Sequence, residues 1–223
     1  MSSPHVPSQK RLANTAANVF ERLVEAILDG QFESGSPLRE AALARLWNVS
    51  RTPMREAVRR AAEGGLLILR PNQAPVVRTL SIADVRALYD LREVLEVHAL
   101  DLAWPALTGQ PVQRILSLAH RAAPETSRWQ HRCLQFDLAL HRWWTNHCGN
   151  TWLKADLERH YQFLRIFQRW VGRDPTALTK GYEEHVAIVR SITAEDQART
   201  RRLLSHHIRH SARLVEAAML KCQ

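Results

Sequence analysis

No run of about 18 consecutive apolar residues occurs in this 223-residue chain, which excludes a membrane-spanning helix of ordinary length. The opening MSSPHVPSQK has no apolar core, so it reads as a short disordered tail and not as a signal peptide. Cysteine is scarce: Cys133, Cys148 and Cys222 are odd in number and show no CxxC spacing. That excludes a disulfide framework and fits free thiols in a reducing cytoplasm. Internal repeats and low-complexity tracts are absent, which excludes a solenoid. Acidic residues are in deficit, 22 against 31 Lys and Arg, for a net charge of +9 and a pI near 10.3. An excess of this size favours an anionic partner, although an Arg-rich solvated surface carries the same total. What is present is the composition of a globular protein, 45% hydrophobic and 24% charged. The length suits a small domain plus a medium one.

The sequence changes character near residue 80. Before it lie two helical patterns and two short β-prone runs, LLIL (66–69) and PVVRTL (75–80), separated by the turn-like RPNQ. After it the pattern is helical almost throughout. Ser81 and Asp84 form a capping box that opens a helix to about Ala103, ahead of Pro105. Further helices are expected over about 111–122, 128–147, 151–171, 175–192 and 194–221, with Thr193 and Asp196 as a second capping box. The expected division is a tail over 1–10, a small unit over 11–79 and an all-α unit over 80–223. The fold class is therefore mainly α, with a small helical unit ending in a β-hairpin followed by an antiparallel helical bundle.

In LREAALARLWNVSRTPMREAVRRAAEGGLL, a short helix from about Glu40 to Trp47 leads through an Asn48-Val49 turn to a second helix capped by Ser50 or Thr52, with Pro53 in its first turn. Leu38, Leu43, Leu46, Val49, Met54, Ala57, Val58 and Ala61 would pack the two together as a helix-turn-helix. Arg51, Thr52 and Arg55 stand at the start of the second helix, with Arg59 and Arg60 one turn on. Those are the positions that meet base edges and phosphates when a helix enters the major groove. An Arg-rich solvated helix face is the competing reading.

The stretch VSRTPMREAVRRAAEGGLL, with the upstream GSPLRE and LARLW, resembles the winged helix-turn-helix of the GntR family of bacterial transcription regulators. The resemblance implies a DNA-contacting set of Arg39, Ser50, Arg51, Thr52, Arg55 and Arg59, with RPNQAPVV as the wing. In that family the wing tip usually holds glycine, where this chain has Gln73-Ala74.

The bundle carries four polar residues on apolar stripes. Asp137 and His141, in FDLALH, are one helical turn apart and share a face with Leu134, Leu138 and Trp144. His185 falls with Leu178, Gly181, Ile188 and Ile192. His207 falls with Leu203, Leu204, Ile208 and Leu214, whereas His206 sides with Arg199, Arg202 and Arg209. A buried carboxylate is costly unless paired or bound to metal. Three imidazoles and a carboxylate converging from three helices suit a divalent cation, with zinc first and nickel or manganese as alternatives. Each histidine taken alone reads equally as a hydrogen-bonded core residue.

D-x3-H, EEHVAIV and a further His twenty-two residues on, together with Gly149-Asn150 and LYDLREVLEVHAL, resemble the FCD ligand-sensing domain of the FadR subgroup of GntR regulators. Asp137, His141, His185 and His207 match that domain's metal pattern without a gap. The resemblance implies a homodimer bound to a palindromic double-stranded DNA operator, with repression as the expected outcome, and a small carboxylate or sugar-acid effector held by the metal and a nearby arginine. Arg92 on the stripe Val85, Leu88, Arg92, Leu95, Ala99, Leu102 is one candidate, and its other reading is a salt bridge to Glu96. Arg159 and Arg165 are further candidates. Tyr161, Phe163, Phe167 and Trp170 would shape a pocket or simply fill the core. Two rival functions stand beside a cytoplasmic regulator: a metal enzyme with an appended DNA-binding domain, and an architectural DNA-binding dimer whose metal is structural. HExxH and GxSxG are both absent, which weighs against the enzyme.

Overall fold

The computed structural model describes residues 15–107, 111–124, 126–171 and 174–221. The expected tail over 1–10 lies outside them. The chain groups into two compact units that divide between Thr79 and Leu80.

The first unit contains α1 (Ala16–Leu28), α2 (Glu40–Leu46), α3 (Arg51–Glu63), β1 (Leu67–Ile68) and β2 (Val76–Val77). Helix α1, which the sequence reading left unassigned, starts at Thr15, whose hydroxyl accepts from the Asn18 amide at 3.3 Å. It buries Val19, Phe20, Leu23 and Val24, and packs on α3, which buries Met54, Ala57, Val58 and Ala61. The α2–α3 turn passes through Asn48 at φ 53°, a left-handed position that asparagine tolerates. Leu46 does not join the core as expected: it is 78% exposed, and Trp47 is buried in its place. The chain turns out of helix at that point, and the indole receives the Arg22 guanidinium 4.3 Å from its ring centre. Strands β1 and β2 pair antiparallel in the register Leu67↔Val77 and Ile68↔Val76. At the hairpin tip the left-handed residue is Asn72, at φ 57°, next to the Gln73-Ala74 pair that stands where the resemblance leads one to expect glycine, so the turn is made with asparagine.

The second unit is wholly helical: α4 (Ile82–Leu107), α5 (Pro111–Arg121), α6 (Trp129–His147), α7 (Thr151–Val171), α8 (Pro175–Thr193) and α9 (Gln197–Lys221). Among the described residues no helix is long and apolar enough to cross a membrane. The Ser81–Asp84 capping box forms, with the Ser81 amide donating to Asp84 at 2.8 Å and the Asp84 amide to Ser81 at 3.1 Å. Helix α4 runs past Ala103 and through Pro105. The ring forfeits the bond that an amide at 105 would donate to the Asp101 carbonyl, and the fully buried Leu107 holds the last turn in helix. The second expected capping box is absent. Asp196 itself caps α9, accepting from the Arg199 amide at 2.9 Å, while Thr193 ends α8 and bonds back to the Val189 carbonyl.

Helix α4 packs against α6 and α9, and α8 against α9. The inward face of α4 is Val85, Tyr89, Arg92, Glu96, Ala99 and Ala103, an alternating three- and four-residue spacing. Leu102 is exposed instead.

His160, on α7, is also buried, with burial and then the nearby Arg92 charge pushing its pKa down to about 4 from 6.5. The unfolded chain therefore takes up a proton below pH 6.5 that the folded chain refuses until about pH 4. Stability from this residue is complete above pH 6.5 and falls with acidification, by about 2 kcal/mol between pH 7.5 and 5. His160→Gln should flatten the fall in melting temperature over that range; an unchanged slope would contradict the assignment.

Candidate functional site

Asp137 and His141 from α6, His185 from α8 and His207 from α9 meet inside the bundle, and their ligand atoms all lie within 4.8 Å of one another. Nε2 of His185 is 3.3 Å from Nε2 of His141, 3.0 Å from Nε2 of His207 and 3.1 Å from Oδ1 of Asp137. Oδ1 of Asp137 is 3.7 Å from Nε2 of His141. His206 points away, its side chain 61% exposed, so the helical periodicity separated the two neighbouring histidines correctly.

Two carboxylates, Glu96, expected only as a partner of Arg92, and Glu184, not singled out from the sequence, fix how the imidazoles face. Oε2 of Glu96, fully buried on α4, is 2.5 Å from Nδ1 of His141, and Oε2 of Glu184 on α8 is 2.8 Å from Nδ1 of His207. A carboxylate accepts, so each Nδ1 carries the hydrogen and each Nε2 is left with a lone pair. Two nitrogen lone pairs and a carboxylate oxygen then converge on His185, whose own Nδ1 is buried without a hydrogen-bond partner. A single hydrogen on Nε2 of His185 can serve only one of these three acceptors whereas a cation among them would serve all, and carboxylates behind ligand imidazoles are the usual outer support of a metal site. The donor set therefore fits a divalent metal of the zinc class.

The protonation states agree. Burial works to raise the Asp137 pKa, but the hydrogen bond from His185 and the charges around it hold the carboxyl well below its usual range. Burial raises Glu96 too, and Arg92 with His141 brings it down to about 2. Burial depresses His141, and burial together with the neighbouring imidazoles depresses His207 strongly. The site is thus anionic in its carboxylates and neutral in those two rings.

Arg92 is buried on α4 beside this cluster. It makes the expected salt bridge, donating from Nε to Oε1 of Glu96 at 2.6 Å, and it also reaches the cluster, with Nη2 3.1 Å from Nε2 of His141. The salt-bridge reading of the residue is thus observed, and the same guanidinium stands beside the histidine cluster. Arg92, Asp137, His185 and His207 line a cavity whose far side is formed by Phe167, Leu178 and Leu214. Arg159 is not there: it is exposed and pairs with Asp156 on its own helix. The side chains of Arg165, Phe163 and Trp170 lie outside the described residues, and Tyr161 is core, its hydroxyl 2.9 Å from that of Thr145.

Glu96 carried a usable signal, lying four residues beyond Arg92 on the same face of α4. Glu184 was visible in EEH, next to His185, but only the tertiary fold aims it at His207.

In the first unit Arg39, Ser50, Arg51, Thr52 and Arg55 are all exposed. Ser50 caps α3 by position without a side-chain hydrogen bond, which leaves its hydroxyl available. Arg51 and Arg55 make no ion pair among the described residues. Arg59 differs, since its guanidinium is held by Glu56 at 2.7 Å and by Glu63. Arg60 is drawn back over the Phe20 ring, 4.2 Å from its centre.

The sequence pattern of the FCD domain matches residues 87–210, and that described as "Bacterial regulatory proteins, gntR family" matches residues 15–77. An uncharacterized HTH-type transcriptional regulator, BphR of Paraburkholderia xenovorans, is 26% identical over 203 residues, covering 88% of this chain and 83% of the relative. The HTH-type transcriptional repressor RspR of Escherichia coli is 27% identical over 175 residues, covering 68% of this chain and 77% of the relative. Among solved structures, E. coli McbR/YncC superposes with a TM-score of 0.70 at 19% identity, over 90% of this chain and 96% of that one, a likeness of fold.

Proposed function

Since the chain belongs to the gntR family of bacterial regulatory proteins and carries an FCD domain, and is thus a DNA-binding transcriptional regulator and not an enzyme, we propose that its helical unit binds a divalent metal and a small carboxylate that together govern operator binding. The observation that carries this reading is the set of imidazole lone pairs turned toward one point by Glu96 and Glu184, beside a buried arginine. Asp137, His141, His185 and His207 would hold the metal, zinc by preference, with nickel or manganese as alternatives. When bound, such a metal supplies a Lewis-acidic centre for a carboxylate oxygen.

Arg92 explains why the second ligand should be an anion. Its Nη2 now leans on the same His141 nitrogen that a metal would use. Two cations cannot share that lone pair, and an acid between them would answer both charges while Nε stays bonded to Glu96. An effector shifts operator affinity only if it favours one arrangement of the protein over another.

In the first unit, α3 is the helix offered to the major groove, with Arg51, Thr52 and Arg55 at base edges and Arg39 and Ser50 toward phosphates. The protein works as a homodimer on a palindromic operator. Leu91 (49%) and Val94 (67%) on α4 are exposed apolar residues that a second copy would cover. Repression is the proposed outcome, the role named for the relative RspR.

The test is operator binding by metal-loaded protein, on DNA selected from a random duplex library, with and without small organic acids. At least one acid should change operator affinity by about fivefold or more, the lower end of ordinary coupling. If acids alter neither operator affinity nor melting temperature, the effector role is wrong.

A further inference from the structure

Helix α8 presents no side chain to the cavity at residue 181. Gly181 is four residues before His185 and three after Leu178, so the three share one face, and all three line the same cavity. A Cβ built on Gly181 would meet no heavy atom within 4 Å. Glycine within a helix is destabilising relative to alanine, so here a side chain would fit and would strengthen the helix. What its absence leaves is room beside the ligands.

The lining changes in layers along the bundle. At 1.5 Å per residue, Leu178 is about 10 Å along α8 from His185, and Leu214 is about 10 Å along α9 from His207. The first layer is Asp137, His185, His207 and Arg92. One turn on come Gly181 and Ser211, and two turns on Leu178 and Leu214. Beyond the first layer the Tyr182 hydroxyl donates to the Ala119 carbonyl at 3.1 Å and the Cys133 thiol faces the Leu178 carbonyl at 3.7 Å, which leaves the Ser211 hydroxyl as the polar group of the second layer. A chain of hydroxyl groups entering here would lose water and find few partners, whereas hydrocarbon would lose nothing.

We infer that the effector is a carboxylic acid with a short apolar tail, not a polyhydroxylated acid, and that Gly181 sets the length of tail admitted. This rests on the reading above that an acid binds beside the metal and Arg92.

Zinc-loaded full-length protein, with acetate, butyrate and gluconate as calorimetric probes, tests it. Each buried methylene contributes about fourfold, so butyrate should bind about fifteenfold tighter than acetate, and gluconate at least about tenfold weaker than butyrate. Gly181→Leu should retain zinc and acetate binding yet weaken butyrate by about tenfold or more, with Gly181→Ala losing less in the same direction. Gluconate binding as tightly as butyrate, or butyrate indifferent to Gly181→Leu, overturns the inference while leaving the effector reading in place. If no acid binds zinc-loaded wild type, the effector reading fails and this inference with it.

Discussion

Zinc-loaded protein is expected to unfold about 10 °C above metal-stripped protein when free zinc stands a thousandfold above its dissociation constant. Binding to the folded state alone then contributes about 4 kcal/mol, and a helical unit of this size gains roughly 2–4 °C per kcal/mol. The gain is expected on the second unit, where all four proposed ligands reside. His207→Gln separates this effect from general damage: the amide can still donate to Glu184, but the ligand nitrogen is gone. Metal-stripped wild type and variant should melt within a few degrees of each other, while the zinc-induced shift largely disappears from the variant. Scanning calorimetry with and without zinc, alongside metal analysis, measures both. An undiminished zinc shift in His207→Gln would remove His207 from the ligand set. Glu96→Gln is a harsher change, because it also strips Arg92 of its buried partner, and breaking a buried pair costs about 3–5 kcal/mol.

Loss of sequence preference on DNA is the other large effect. Each bidentate arginine contact to a guanine edge is worth about 1–3 kcal/mol of discrimination, so Arg51→Ala with Arg55→Ala should reduce the ratio of operator to random-duplex affinity by roughly thirtyfold or more at fixed salt. Non-specific binding should fall much less, since it is carried by phosphate contacts over the whole basic face. Arg59→Ala serves as the internal contrast. Its guanidinium is engaged by Glu56 and Glu63 on the same helix, and removing it should change the ratio least. Competition binding on a library-selected duplex decides the order, and Arg59→Ala proving more harmful than Arg51→Ala would reverse the proposed orientation of α3.

The features most legible in the sequence were those with a strong period or a dedicated cap. Ser81 with Asp84, the stripe holding Asp137 and His141, and the choice of His207 over His206 needed only 3.6-residue geometry and side-chain chemistry. Misreadings arose where tertiary contact overrode a local rule. Pro105 looked like a terminator, but it sits in a last turn anchored by Leu107. Leu46 fitted the apolar pattern, yet the helix ends there and Trp47 takes the buried place, backed by Arg22. Glu96 was legible as the i,i+4 partner of Arg92, but nothing local indicates that His141 and Trp144 also close on it. Arg159 was a further candidate for its place on the helix after the one holding Asp137 and His141, although it is exposed and pairs with Asp156 on its own helix.

Trp144 adds a property that follows from where it sits. Its indole is fully buried, donates to Oε2 of Glu96 at 3.1 Å, and meets the His141 ring edge-on with centres 5.0 Å apart. The same carboxylate oxygen accepts from His141, so any cation drawing on that imidazole changes the field felt by the indole. Trp152, at 83% exposure, emits from water and lies well to the red of a buried chromophore. Filling of the bundle interior is therefore expected to change Trp144's share of the blue edge of the protein's own fluorescence, to which the buried Trp47 and Trp143 also contribute, with no label attached.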